Sequence, residues 1–294
     1  MQITVRLAMR WLCIICALST TLLLGACSAS RLAYTHAPTV GFYWLDAYFD
    51  FDGPQSVATK DSLQALQAWH RAEELPQLAR LLALLQPMAL QDVTPEQVCG
   101  LRALVQQRIQ APLVHATPAA VRIISTLKPA QLQHMEAEFK KRNAQWREEW
   151  LELPQAERLD KRSKQVAERT EQFYGRLSGP QRDLIRAQVA ASGYSPEVQH
   201  KEMLRRQQDS LQTFARLRQG TLPAEKAQVE LQALFERAAV SPDAATQQYV
   251  ESMGRATCAA IATVHNSATP EQRASLQKSL QGYEADARAL MQGP

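Results

Sequence analysis

The chain has 294 residues, with 33 Lys and Arg against 29 Asp and Glu, a formal net charge of +4. Basic residues form no tract and do not interleave with aromatics, which argues against a nucleic-acid partner. The length allows a full hydrophobic core in one or two domains.

Three zones make up the N-terminus. Arg6 and Arg10 lie in a start without acids, an apolar run follows from Trp11 to Leu24, and small residues lead into Cys27. A basic start, an apolar run of this length and a small-residue cleavage site predict an export signal over residues 1–26. The run is too short for a comfortable membrane-spanning helix. Leu24-Gly25-Ala26-Cys27 resembles the lipobox of bacterial lipoproteins. That resemblance implies cleavage before Cys27, acylation of its sulfur and amine, and a partner in the membrane held through that lipid. Several acyl chains on one residue give stable anchoring where one is marginal. Ser28 stands where such lipoproteins carry the aspartate that retains them at the inner membrane. The implied location is therefore the outer membrane, facing the periplasm. Cys13 and Cys16 read C-x-x-C but fall within the signal.

From there the chain reads as helix, an all-α multi-helix bundle carried on an N-terminal lipid anchor. Residues 27–53 form the anchor, tether and an aromatic-acidic segment, and 54–294 one helical domain. Gly is scarce, and Ala, Leu, Gln, Glu and Arg, all good helix formers, dominate. Helix starts are marked by hydroxyl-Pro pairs: Thr94-Pro95-Glu96-Gln97 and Thr269-Pro270-Glu271-Gln272 are capping boxes with Pro at the first helical position. Ser178-Gly179-Pro180-Gln181 is a variant, and Thr117-Pro118, Ser195-Pro196 and Ser241-Pro242 give further starts. Lys128-Pro129-Ala130-Gln131 lacks the hydroxyl. These signals predict helices over 55–71, 73–86, 95–110, 118–126, 129–153, 155–176, 179–192, 196–219, 223–239, 242–266 and 270–291.

Residues 42–52 stand apart: six of the eleven are aromatic, with Tyr34 upstream and Asp46, Asp50 and Asp52 between the rings. Trp44 and Tyr48 are candidate structural or binding residues, together with Tyr34 and the three aspartates. One reading docks the rings at the membrane interface, where aromatics are favoured. However, no Lys or Arg lies between Arg31 and Lys60 to support it electrostatically. The favoured reading straps the segment across the bundle, burying the rings, Trp44 included, while the aspartates cap helices or pair with Arg.

Cys99 and Cys258 remain as an even pair in a compartment that permits disulfides. Both lie beside apolar stripes, and the alternatives are a bond between them or two buried thiols.

Tyr34, Pro38, Trp44-Leu45-Asp46, Tyr48, Asp50-Phe51-Asp52, Trp69-His70-Arg71, Glu74-Leu75-Pro76, the run Val93–Cys99, and Cys258 followed by His265-Asn266 together resemble a family of uncharacterised proteobacterial lipoproteins, a domain of unknown function. The resemblance implies an all-helical envelope protein and no activity. Leu127–Gln131 and Leu177–Gln181 also resemble the L-T-x-x-Q motif of small periplasmic helical chaperones.

Catalytic fingerprints are missing from the sequence. The six His do not take a metal-ligand spacing, and no G-x-S-x-G, P-loop or dinucleotide motif occurs. Ser125–Lys128 and Ser275–Lys278 match S-x-x-K without its companion elements. The expectation is no catalytic residues, no metal, no cofactor and no enzyme. The leading function is a structural, interaction or chaperone-like envelope module with a protein partner or client. The alternative is a lipid- or cell-wall-binding module that uses residues 42–52.

Overall fold

A computed structural model describes residues 26–293; the expected export signal lies outside the described residues apart from Ala26. Every regular element among the described residues is helical. In chain order these are α1 (Ala26–Thr35), α2 (Ala37–Phe49), α3 (Gly53–Trp69), α4 (Leu75–Met88), α5 (Pro95–Ile124), α6 (Pro129–Trp146), α7 (Gln155–Tyr174), α8 (Gly179–Ala191), α9 (Pro196–Leu217), α10 (Ala224–Ala239), α11 (Ala244–Asn266) and α12 (Pro270–Met291). The stretch expected as tether and strap is thus two helices, the second begun by Pro38 in its first turn.

Two other expectations change. The break expected near residue 72 is a π-helical turn, His70–Glu74, that joins α3 to α4. Pro76 has no N–H for an α-helical bond, and the Leu75 N–H donates to the His70 carbonyl, five residues back. Residues 95–124 form one helix, not two, with Pro112 and Pro118 inside it. Thr117 caps nothing: it is wholly buried, and its hydroxyl donates to the Leu113 carbonyl. Packing outweighs the prolines here. The N-terminal part of α5 packs Val98 against Cys258 and Ala262 of α11, and its C-terminal part packs Ile124 against Leu231 and Leu234 of α10.

Cys99 and Cys258 are joined by a disulfide, with Cα atoms 5.5 Å apart and a sequence separation of 159. Closing a loop that long restricts the unfolded chain by about 5 kcal/mol in the entropy account.

The capping boxes read at Thr94 and Thr269 and the variant at Ser178 form, and the structure adds a fourth at Asp52. Each cap accepts from the backbone N–H three residues on, and the Gln there accepts from the cap N–H. Two pairs of these starts are clasped to each other. Gln55 and Gln131 exchange amide hydrogen bonds of 3.2 and 2.7 Å, and Gln181 and Gln272 exchange bonds of 2.7 and 3.0 Å. Each Gln also donates to a carbonyl in the turn before its partner's helix: Thr126, Asp50, Ser267 and Arg176. α11 starts two residues later than expected, because Asp243 supplies its cap while the Ser241 hydroxyl donates to Glu202. The ends of the described chain meet where Ser30 and Arg31 bond to the buried carboxylate of Asp286 on α12.

Candidate functional site

The feature that organises the molecule is a partly enclosed cavity of about 1060 Å³. That is at or above the upper end of the roughly 300–1,000 Å³ of small-molecule sites. α2, α3, α5, α6, α9, α10 and α11 all contribute to its wall. Along α9 the lining runs from Val198 to Phe214, a distance of about 24 Å at 1.5 Å per residue.

Aromatic spacing in α2 sets one wall. Residues three and four apart share a helix face, so Trp44, Leu45, Tyr48 and Phe49 line the space together. The Tyr48 ring lies 5.6 Å from that of Phe139 on α6, and Phe49 contacts Phe51 and Phe214 at 5.3 and 5.8 Å between centroids. Phe42 is the anchor of this helix. It is buried beside Phe51, with the Lys60 ammonium 4.3 Å from its ring centroid.

Trp44 behaves otherwise than expected. Its surface is 59% exposed, and its ring meets Tyr48 edge-on at 5.2 Å. It forms a lip of the cavity, not a buried strap. The physical reason is helical: with Phe42 turned inward, Trp44 lies about 200° away around the axis.

The three aspartates build the turn between α2 and α3. Asp46 Oδ1 accepts from the Phe51 N–H at 2.9 Å. Asp50 takes the left-handed conformation, φ 47°, and its N–H donates to the Asp46 carbonyl. Asp52 caps α3 and pairs with Lys128 at 3.0 Å; hydrogen bonds from the Gln55 backbone and then Lys128 hold its carboxyl below the usual range. Tyr34 is not part of the cavity. Its hydroxyl lies 3.1 Å from His70 Nδ1, and its ring packs against the Leu75–Ala287 cluster. Cys27 lies in α1, and the Cys99–Cys258 bond joins α5 to α11.

α9 adds a polar strip to the lining, made of Glu202, Arg206, Gln207 and Ser210. Glu202 is buried and accepts from Arg205 at 2.6 and 2.8 Å, from Arg206 Nε at 2.9 Å and from Ser241 at 3.1 Å. Burial opposes its ionisation, but these hydrogen bonds overcome that and bring its carboxyl down to about 2. Asp209 stands below its ordinary value because Arg237 chelates it at 2.9 Å through two nitrogens. Asn143 of α6 and Gln207 of α9 exchange amide bonds of 2.8 and 2.9 Å and close the seam beside this strip.

Two polar atoms of the lining residues have no hydrogen-bond partner among the described residues: Thr59 Oγ1 and Trp146 Nε1, both shielded from solvent. Buried polar groups are normally paired, so these two mark positions that something else can satisfy. No cluster of three or more His, Cys, Asp or Glu able to hold a metal occurs among the described residues. No helix among them is long and apolar enough to cross a membrane.

Sequence reasoning found Trp44 and Tyr48 but missed Thr59, Trp146 as a lining residue, and the α9 strip. The signal was present: Gln199, Met203, Arg206, Ser210 and Phe214 recur every three or four residues, a mixed stripe where a core helix would be purely apolar.

The cavity and its helical frame define an all-α protein with an apolar interior space. The match to known proteins agrees in extent: residues 47–236, which hold most of the lining, fit the model of a family of unknown function, DUF6279. The chain belongs to that family. No curated protein and no solved structure matches it.

Proposed function

We propose that this chain is a lipoprotein of the bacterial envelope, acylated on Cys27 and facing the periplasm from the outer membrane, that holds the apolar chain of an amphiphile in its cavity. The sequence ranked a structural, interaction or chaperone-like role first and lipid or cell-wall binding through residues 42–52 second. The observation that reverses this order is the cavity itself, about 1060 Å³, with the aromatic segment as one of its walls. One leaflet of a bilayer's hydrocarbon core is about 15 Å deep. The run of roughly 24 Å along α9 therefore accommodates a membrane-length acyl chain. Anchoring at Cys27 would keep the cavity close to a supply of such chains.

The test is lipid extraction and mass spectrometry of the purified full-length chain beside Ala116→Phe, which fills the cavity from α5. Acyl lipid should accompany the parent protein and be depleted in the variant, with the melting temperature held or raised. Equal lipid in both, or none in either after incubation with a lipid extract, overturns the reading.

A second reading has its own support. Leu104, Val105, Ile109, Leu113 and Val114 on α5 are each more than two-fifths exposed, a stripe that suits a protein client. Suppression of client aggregation that Ala116→Phe leaves intact would favour it.

A further inference from the structure

The polar side of the cavity identifies what kind of amphiphile fits, an inference that rests on the acyl-chain reading above. We infer that the cavity takes an acyl amphiphile whose headgroup is an oxyanion, carboxylate or phosphate, received by Arg206 and by the indole N–H of Trp146.

Arg206 lines the cavity with its side chain 45% exposed, which places it at the rim. Its Nε is committed to Glu202 at 2.9 Å, while Nη1 and Nη2 make no hydrogen bond among the described residues. A guanidinium held by one edge and open at the other presents the planar fork that matches a carboxylate or phosphate. Glu202 is the one acidic residue of the lining, and its charge is spent on Arg205, Arg206 and Ser241. Counting Glu202 and Asp209 against Arg205, Arg206 and Arg237, the network carries one net positive charge.

Trp146 supplies the second contact. An indole N–H can only donate, and that of Trp146 is shielded and lacks an acceptor. Trp146 lies one turn beyond Arg142 on α6, and the guanidinium of Arg142 rests 4.6 Å from the Tyr48 ring centroid without an acidic partner among the described residues. The Asn143–Gln207 amide pair ties this turn of α6 to the turn of α9 that carries Arg206. Trp146, Arg142 and Arg206 thus bring donors without acceptors to the two helical turns that this amide pair joins. Deeper in, the Thr59 hydroxyl, 2% exposed and unpaired, offers a further polar contact.

The experiment is competitive displacement of a fluorescent fatty acid from the full-length chain held in an amphipathic polymer. The competitors are palmitate, palmitoyl lysophosphatidic acid and monopalmitoylglycerol. At least one anionic competitor should bind about tenfold more tightly than the neutral one, the yield of a single charge-assisted contact. Whichever anion is preferred identifies the headgroup. Arg206→Gln should erase that preference, weakening the anionic competitors far more than monopalmitoylglycerol. Arg206→Lys should retain part of it, and Trp146→Phe should reduce it while keeping the ring. Should Arg206→Gln fail to fold, the Lys and Phe variants decide. Equal binding of all three competitors, or an equal loss for all three in the Arg206 variants, overturns the oxyanion and leaves the acyl-chain reading standing. No displacement by any competitor overturns both.

Discussion

The two glutamine clasps are the same device with different surroundings. Each joins two capped helix starts, one by Gln55 and Gln131, the other by Gln181 and Gln272, through reciprocal amide bonds and a bond from each Gln to a turn carbonyl. At the first clasp the adjoining residues are large rings, Phe49, Phe51, Phe214 and Phe235, and they border the cavity. At the second they are aliphatic, Ala167, Leu177, Ile185 and Val264, and the space left beside that clasp, lined by Leu177, Gln181 and Gln272, is smaller and more open, about 680 Å³. Large rings, here stacked and tilted, leave a larger space than small branched side chains do. The clasp fixes how helices meet, and the side chains beyond it set how much of the meeting place is left unfilled.

The first way to break this comparison is to remove one Gln from each clasp. Gln131 is 6% exposed, whereas Gln272 is only partly buried. Gln131→Leu strips partners from the Lys128 N–H and from the Phe49 and Asp50 carbonyls and removes the reciprocal bonds with Gln55, which keeps only those to Thr126 and Asp52. Water reaches them poorly, so the expected loss is about 3 kcal/mol in urea unfolding. Gln272→Leu exposes the Thr269 N–H and the Arg176 carbonyl to solvent, and the expected loss is about 1 kcal/mol. Equal losses would show that the clasps are equivalent and that burial does not separate them.

Much of this frame was legible in the sequence, for a physical reason. Capping is local: Thr94 and Gln97, or Thr269 and Gln272, find each other within one turn wherever the helix lies. The same locality explains the failures. Thr117-Pro118 carries the same hydroxyl-Pro pair without the Gln, but α5 is gripped by two separate core clusters and continues through it. Ser241-Pro242 is bypassed because the Ser241 hydroxyl is taken by Glu202, 39 residues away in sequence. The cavity was illegible for a stronger reason: seven helices enclose it, and no stretch of sequence states how much volume their side chains leave unfilled.

Acid sharpens the contrast next, because the cavity side holds a buried carboxylate network. The Glu202 carboxyl stands at about 2 in the folded chain, against about 4.3 in an unfolded one. A depressed folded value means that the stabilisation is fully present above the unfolded value and disappears as pH falls through the folded one. The window is thus between about pH 4.3 and pH 2, and the expected loss is on the order of 2 kcal/mol. Glu202→Gln should flatten the pH dependence of unfolding in that window. An unchanged slope in the variant would mean that other carboxylates account for the acid sensitivity.

The smallest expected effect is the most pointed, because it separates the two roles of α2. Phe42 attaches this helix through a ring that is 4% exposed, whereas the neighbouring Trp44 is 59% exposed and touches the cavity. A buried tryptophan would cost about 3–5 kcal/mol on truncation to alanine. Trp44 has only its edge contact with Tyr48 to lose, so Trp44→Ala should lower stability by less than about 1 kcal/mol. Its consequence belongs to binding instead: with one lip of the cavity gone, a fluorescent fatty acid should bind more weakly in direct titration. Thermal unfolding and that titration, run on the same preparation, give the two readings independently. A melting curve that collapses while affinity stays intact would return Trp44 to the core, as the aromatic pattern first suggested, and remove it from the cavity's edge.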